Sequence, residues 1–353
     1  MSVLWREEMK SAYFVARLFI IVIFSSSLFA FSQVEVVHLP LDGFFALDGV
    51  HLWAALHNAR GKHFVLRSTD GGVNWKSTEV PFRIWGMFFL SPAEGWALSA
   101  EGTGKSVGLW CVHTSDSGQT WQYLARLQEG DNFNGPVFDT VTHGWIVGRE
   151  PIAKEPSDPV PFLLETSDGG EHWNKLNWSE GPHSGANGIS THNGVVYAWS
   201  GSSDEPGLFE LQPGLVPRRI FGRESMGIAF GAENSIISVG TTAVYIGPDW
   251  ETVLSNSTVF RDVSFADSAH GCVVGNTIFC TEDGGISWTS RPLPKSRNAE
   301  EVLYRLYLFE PSHGWAEAED KLFETNDGAY TWHQVRLLDS KGQPLAQLFR
   351  NRD

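Results

Sequence analysis

Thr281-Glu282-Asp283-Gly284-Gly285-Ile286-Ser287-Trp288 spells out a tight turn, and the chain carries this octapeptide five times. The other copies are Ser68 to Trp75 (STDGGVNW), Thr114 to Trp121 (TSDSGQTW), Thr166 to Trp173 (TSDGGEHW) and Thr325 to Trp332 (TNDGAYTW). In each, the Asp carboxylate can accept N–H groups of its own turn, and the following Gly supplies a backbone conformation closed to most residues. The Trp then covers the turn. In the last copy Ala329 stands where the others have the second Gly, so that loop is expected to turn on Gly328 alone or to bend differently.

Upstream of most copies lies a second repeated element: Glu94-Gly95-Trp96, His143-Gly144-Trp145, His270-Gly271-Cys272 and His313-Gly314-Trp315. Alternating apolar residues precede it, as in Val263 and Phe265 or Leu306 and Leu308, the pattern of a half-buried strand. One unit therefore reads as strand, turn, strand, loop, strand, Asp-box turn, strand. Four antiparallel strands in a unit of this length make a propeller blade. The box aspartates Asp70, Asp116, Asp168, Asp283 and Asp327 are separated by 46, 52, 115 and 44 residues. The long step holds two segments with blade-like strands but no box, Asn187 to Ile220 and Met226 to Leu254. The expected fold is thus an all-β, seven-bladed propeller, with six blades as the alternative if that region is one blade with an insertion. Val34 to Leu39 also reads as a strand that could close the ring on the last blade.

The chain has 353 residues, 42% hydrophobic and 19% charged, with 15 Trp and 23 Phe. That is apolar enough for a large core. Arg6, Lys10 and Arg17 precede an apolar run from Leu18 to Phe31, then small and polar residues. Such a run is shorter than the roughly 20 residues of a spanning helix, so residues 1–32 read as a signal peptide, or alternatively an N-terminal anchor, and 33–353 as a single propeller domain. No Cys lies there to carry a lipid. Without residues 1–32 the chain keeps 23 basic and 39 acidic residues, a balance that disfavours nucleic acid and anionic lipid. The expected location is outside the cytoplasmic membrane, periplasmic or extracellular. Cys272 and Cys280 flank a short turn and could face each other across a hairpin, or could simply be small core residues; Cys111 is left over.

The unit Phe260 to Trp288 (FRDVSFADSAHGCVVGNTIFCTEDGGISW) resembles the repeat of the photosystem II stability/assembly factor family, exported Asp-box propellers, and Phe309 to Trp332 repeats its pattern. The resemblance spans about residues 44 to 338. It implies a non-catalytic scaffold that holds a membrane-protein partner during assembly, and a face lined with arginines. The Asp box also occurs in sialidases, sortilin-type receptors and xyloglucan-cleaving glycosidases, so it indicates fold before activity.

The box residues Asp70, Trp75, Asp116, Trp121, Asp168, Trp173, Asp283, Trp288, Asp327 and Trp332 recur one pair per blade and are read as structural. The histidines His143, His270 and His313 sit on separate blades, too dispersed for a zinc site with ligands about 2.1 Å from one ion. Glu101 to Ser106 (EGTGKS) lacks the first glycine of a phosphate loop. No metal and no cofactor is expected. Asn177 and Asn256 open glycosylation sequons. The proline-containing acidic stretches Arg149 to Pro161 and Ser200 to Gly207 are candidate recognition loops.

Arg83, Arg261 and Arg305 each lie near the start of an innermost strand, where a ring would aim them at the central channel. Guanidinium groups there would attract a carboxylate by bidentate bonds. Arg218, Arg219 and Arg223, between the boxless units, form a second basic candidate. A protein partner, with the chain as monomer, is the first reading. The alternative is a sialidase-like glycosidase, faintly echoed by Phe82-Arg83-Ile84, though Trp85 replaces the expected proline and the segment follows the first box. An enzyme would need acidic residues and a tyrosine converging with the arginines.

Overall fold

A computed structural model describes residues 41–58, 60–101, 108–127, 131–149, 161–178, 181–182, 185–201, 205–212, 215–296, 299–319 and 321–335. The apolar N-terminal run, Val34 to Leu39, most of Glu101 to Ser106 and the interior of both proline-containing loops lie outside these residues. Among those described, no helix is long and apolar enough to cross a membrane.

The strands form seven four-stranded antiparallel sheets, each made of four consecutive strands. Blade 1 comprises β1 (Leu41–Ala46), β2 (Leu52–His57), β3 (His63–Ser68) and β4 (Lys76–Val80). Blade 2 comprises β5 (Arg83–Phe89), β6 (Gly95–Glu101), β7 (Gly108–Thr114) and β8 (Gln122–Arg126). Blade 3 comprises β9 (Asp131–Phe138), β10 (Gly144–Arg149), β11 (Pro161–Thr166) and β12 (Asn174–Asn177). The boxless blade 4 holds β13 (Gly188–His192), β14 (Val195–Ser200), β15 (Gly207–Leu211) and β16 (Arg218–Phe221). Blade 5, also boxless, holds β17 (Gly227–Phe230), β18 (Ile236–Val239), β19 (Ala243–Ile246) and β20 (Glu251–Ser255). Blade 6 is β21 (Phe260–Phe265), β22 (Gly271–Gly275), β23 (Ile278–Thr281) and β24 (Thr289–Arg291). A two-stranded hairpin, β25 (Lys295–Ser296) and β26 (Ala299–Glu300), leads into blade 7, which is β27 (Arg305–Leu308), β28 (Gly314–Ala318), β29 (Lys321–Thr325) and β30 (His333–Gln334). Seven blades are present, and the six-blade alternative is excluded.

Every box joins the third strand of its blade to the fourth. In the sixth blade Asp283 accepts the Ser287 N–H at 2.8 Å, while the Thr281 hydroxyl donates to Asp283 at 2.8 Å and accepts the Gly285 N–H at 3.0 Å. Hydrogen bonds from the Ser287 side chain and backbone hold the Asp283 carboxyl at about 2, and those from His172 do the same for Asp168. Each box also docks on the first turn of its own blade, for example Gly284 N–H on Ala269 O at 2.9 Å and Gly71 N–H on Val50 O at 3.1 Å.

The tryptophans of the second strands reach the next blade. Trp53 stacks on Phe89 with centroids 3.7 Å apart, and Trp96 stacks on Phe138 at 3.9 Å. Their indole N–H groups donate to box carbonyls of the following blade, Trp53 to Ser117 O at 2.9 Å and Trp96 to Gly169 O at 2.8 Å. The box tryptophans close the sandwich edge-on: Trp121 meets Phe89 and Trp173 meets Phe138. Such aromatic pairs contribute about 0.5–1.5 kcal/mol each beyond area burial. At the joint of blade 7 with blade 1, Trp315 stacks more loosely on Phe44, at 5.8 Å, and its buried indole N–H has no partner.

Blade 6 departs from this scheme. Cys272 occupies the tryptophan position and forms a disulfide with Cys280, directly opposite it on β23. The box that follows, in blade 7, is the one with Ala329. Contrary to the expected irregularity, its turn bends like the rest: Ala329 takes a left-handed φ of 68°, and its N–H reaches Thr325 at 3.0 Å. Its methyl group is fully buried beside Cys272 and Cys280, where another blade would place an indole. One bond is lost, since the buried Trp332 indole N–H lacks the box-carbonyl partner that Trp288 has in Gly285 at 2.9 Å.

Candidate functional site

Antiparallel order puts the first turns and the boxes at one rim of the ring. The starts of the innermost strands and the ends of the second strands lie at the other. Inner strands of the blades enclose a central opening of about 380 Å³, whose charged side chains come from blades 6 and 7. Arg261, Asp262, Tyr304, Arg305 and Tyr307 face it there.

Asp262 and Ser264 occupy positions on β21 that face blade 7. The Asp262 carboxylate accepts the Leu306 N–H at 2.9 Å and the Ser264 hydroxyl oxygen accepts the Leu308 N–H at 3.0 Å, so polar side chains tie the two innermost strands. The Tyr307 hydroxyl carries the tie onward to Phe44 O at 3.0 Å in blade 1. Burial pushes the Asp262 carboxyl up to about 6 despite the Leu306 N–H and the Arg305 charge, which pull it down. Burial likewise raises Glu317, which pairs with Arg305 across β27 and β28, and raises Tyr307 to about 12.

Arg305 is exposed, and Tyr307, Glu317 and Asp262 hold its guanidinium firmly charged. The Arg261 guanidinium lies over the Tyr304 ring at 4.8 Å, and its buried Nε has no hydrogen-bond partner in the protein. Two cations thus stand together, one of them with an unsatisfied donor.

Arg83 does not join them. It starts β5 but turns to Asp42, whose carboxylate it grips at 2.7 and 2.8 Å, and His57 Nδ1 meets the other oxygen at 2.9 Å. Arg218, Arg219 and Arg223 are not brought into one patch either. Arg218 is ion-paired to Glu210, Arg219 on the opposite face of β16 lies over Phe209, and Arg223 lies over Tyr245 of blade 5.

The turn histidines each meet a carboxylate of their own blade: His143 with Glu165, His270 with Asp267 and His313 with Glu324. Asp168, Glu171 and His172 are all exposed and lie close enough to share an ion, but the His172 ring is already bonded to Asp168 at 2.7 Å within the box. The sequence reading missed Asp262, Glu317, Tyr307 and Asp42. A signal existed for Asp262 and Ser264: polar residues at alternate positions of an inner strand, where the neighbouring blade demands an apolar side chain or a bonded one.

A seven-bladed Asp-box propeller with an arginine-bearing channel defines the class. Residues 244–346 match the model of the family Photosynthesis system II assembly factor YCF48. The photosystem II assembly lipoprotein Ycf48 of Synechococcus sp. (strain CC9902) is 37% identical over 90 residues, 24% of this chain and 26% of that protein, so the match spans about a quarter of the relative's length. Over these residues the chain is similar to photosystem II assembly factor-like proteins. Two solved structures share the fold. YCF48 bound to D1 peptide aligns with a TM-score of 0.56 at 17% identity, over 82% of this chain and 92% of that one. A prolyl endopeptidase aligns with a TM-score of 0.56 at 10% identity, over 84% of this chain and 49% of that one.

Proposed function

We propose that the chain is an exported, non-catalytic scaffold that captures a carboxylate-bearing segment of a membrane-protein partner at the channel mouth, with Arg261 and Arg305 as the binding groups. The observation that carries this reading is that Arg261, its guanidinium over Tyr304, and the charged Arg305 line one central opening. A carboxylate accepting from both guanidinium groups would be held by charge-assisted bonds. The likeness to proteins named for photosystem II assembly supports the partner class. Residues 1–32 serve as the export signal in this reading, and N-terminal sequencing of the exported protein checks it.

The test is capture from detergent-solubilised membranes, with the chain from Gln33 as bait and Arg261→Gln/Arg305→Gln as control. The native ring retains a membrane complex and the double variant, folded by circular dichroism, does not; equal retention refutes the assignment.

A glycosidase remains the second reading, because Asp262, Glu317 and Tyr307 converge with the two arginines. Against it, Asp262 is bonded to Leu306 N–H and the Tyr307 hydroxyl to Phe44 O, ties that hold blades together rather than face a substrate. Turnover of a panel of fluorogenic glycosides, abolished by Glu317→Gln, would favour it over the scaffold.

A further inference from the structure

In blades 1, 2, 3 and 7 the second strand carries a buried tryptophan, Trp53, Trp96, Trp145 and Trp315, opposite a polar residue on the third strand: Arg67, His113, Glu165 and Glu324. In blade 6 both positions are cysteine, and the pair is bonded. A disulfide is much smaller than an indole. Beside it a cavity of about 370 Å³ runs between blade 6 and the last box, lined by Cys272, Cys280, Arg291 and Tyr330 among others.

Arg291 is the unusual neighbour. Its side chain is 4% exposed, under the Tyr330 ring at 4.0 Å, and its buried Nε has no partner. Its terminal nitrogens make only long contacts of 3.4 Å, to Glu282 and to Ser290 O. Arg291 pairs with Ile278, and Cys280 with Thr289, so Arg291 lies two positions along β24 on the face that carries Cys280.

As a staple this disulfide does little. It spans eight residues that the β22–β23 ladder already closes, whereas a cross-link constrains the unfolded chain chiefly by closing a loop nothing else closes. Cavity, unsatisfied guanidinium and weak stapling share one explanation. We propose that Cys272–Cys280 is a thiol-exchange site, opened in the folded ring by a dithiol reductant that enters through the cavity.

A reductant thiolate attacks Cys272 Sγ and forms a mixed disulfide, while Cys280 Sγ leaves with the bonding electron pair as a thiolate beside the Arg291 charge. The second reductant thiol then displaces Cys272. The reductant ends as its own disulfide, and its two protons end on the two cysteines.

Cys111 is an internal control, since it is fully buried, free, and its thiol is pushed far up by burial. Cys272 and Cys280 keep 4% and 5% exposure. The full mature chain is treated with dithiothreitol, or in a second arm with reduced thioredoxin, in native buffer. It is then alkylated and read by peptide mass spectrometry. Cys272 and Cys280 are expected to take up label long before Cys111 does. Label arriving at all three in step, as unfolding exposes them, overturns the proposal. Reduction by dithiothreitol alone identifies a small dithiol as the reductant, and reduction in both arms admits a protein dithiol.

Arg291→Gln is expected to slow reduction several-fold and to move its pH profile upward, with Arg291→Lys restoring part of the rate. A merely structural arginine would change stability and Cys111 labelling but not that profile. An unchanged profile removes Arg291 from the site.

Discussion

Placing a methyl group on Gly72 should strike the joint between the last blade and the first. Gly72 holds a φ of 85°, and a Cβ built there stands 2.4 Å from Cη2 and Cζ2 of Trp315. A left-handed backbone costs alanine about 1 kcal/mol relative to glycine. Driving a carbon into a packed indole adds about 1–3 kcal/mol more. Gly72→Ala should therefore destabilise the ring by about 2–4 kcal/mol. The equivalent residue of the last box is already alanine, at a φ of 68°, with a disulfide in place of the indole. Ala329→Gly relieves the backbone strain, loses one buried methyl of about 0.8 kcal/mol, and loosens the unfolded chain by a similar amount, so its net effect should lie within about 1 kcal/mol of zero. Urea unfolding followed by tryptophan fluorescence compares the two, and Gly72→Ala in a Trp315→Phe background should recover part of the loss. If Gly72→Ala is as mild as Ala329→Gly, or if Trp315→Phe gives no recovery, the indole is not what excludes a side chain there.

Asp283→Asn should cost about 1–3 kcal/mol at neutral pH, because the amide cannot accept all the hydrogen bonds of the carboxylate. Its pKa is held at about 2 against 3.8 unfolded, so the stability it supplies is present above 3.8 and lost as pH falls towards 2; the gap between native and variant in acid titrations of the melting temperature should close over that window. Asp262 has the opposite sign. With its pKa raised from 3.8 to about 6, the stability it contributes is present below 3.8 and lost as pH rises through 6, a trend Asp262→Asn should flatten. Partner capture at the channel should likewise strengthen as pH falls through that value, where Asp262 no longer offsets Arg261 and Arg305, and surface plasmon resonance on Asp262→Asn should find the dependence gone. Arg83→Gln should leave capture intact yet destabilise the ring by about 1–3 kcal/mol in the same urea assay, since it strips the cation from the 2% exposed Asp42.

The blades were legible because each box states its own turn chemistry. Ser68 or its Thr equivalent and the Asp bond within every box, and the Trp does so in four of the five, and local hydrogen bonding is what a sequence pattern can carry. The boxless blades 4 and 5 were found from alternation alone, and their strands fall within a few residues of the expected segments. The channel was harder to read. Arg83 and Arg305 occupy the same position at the start of an inner strand, yet one meets Asp42 and the other Tyr307, Glu317 and Asp262. Those partners come from strands distant in sequence, and only closure of the ring decides them. The Ala329 expectation went astray for the same reason: whether a box tolerates a methyl group depends on the residue facing it from the preceding blade.

Box turns and first turns share one rim, while the inner-strand arginines lie towards the other. The Asp-box clasps are therefore set apart from the proposed recognition rim. A loop between second and third strands can lengthen, change charge or be exchanged without disturbing a single Asp–Ser/Thr–Trp clasp. The molecule behaves as a fixed chassis with an interchangeable front, in which a new partner can be acquired by editing one rim while the hardware that keeps the ring shut is inherited unchanged.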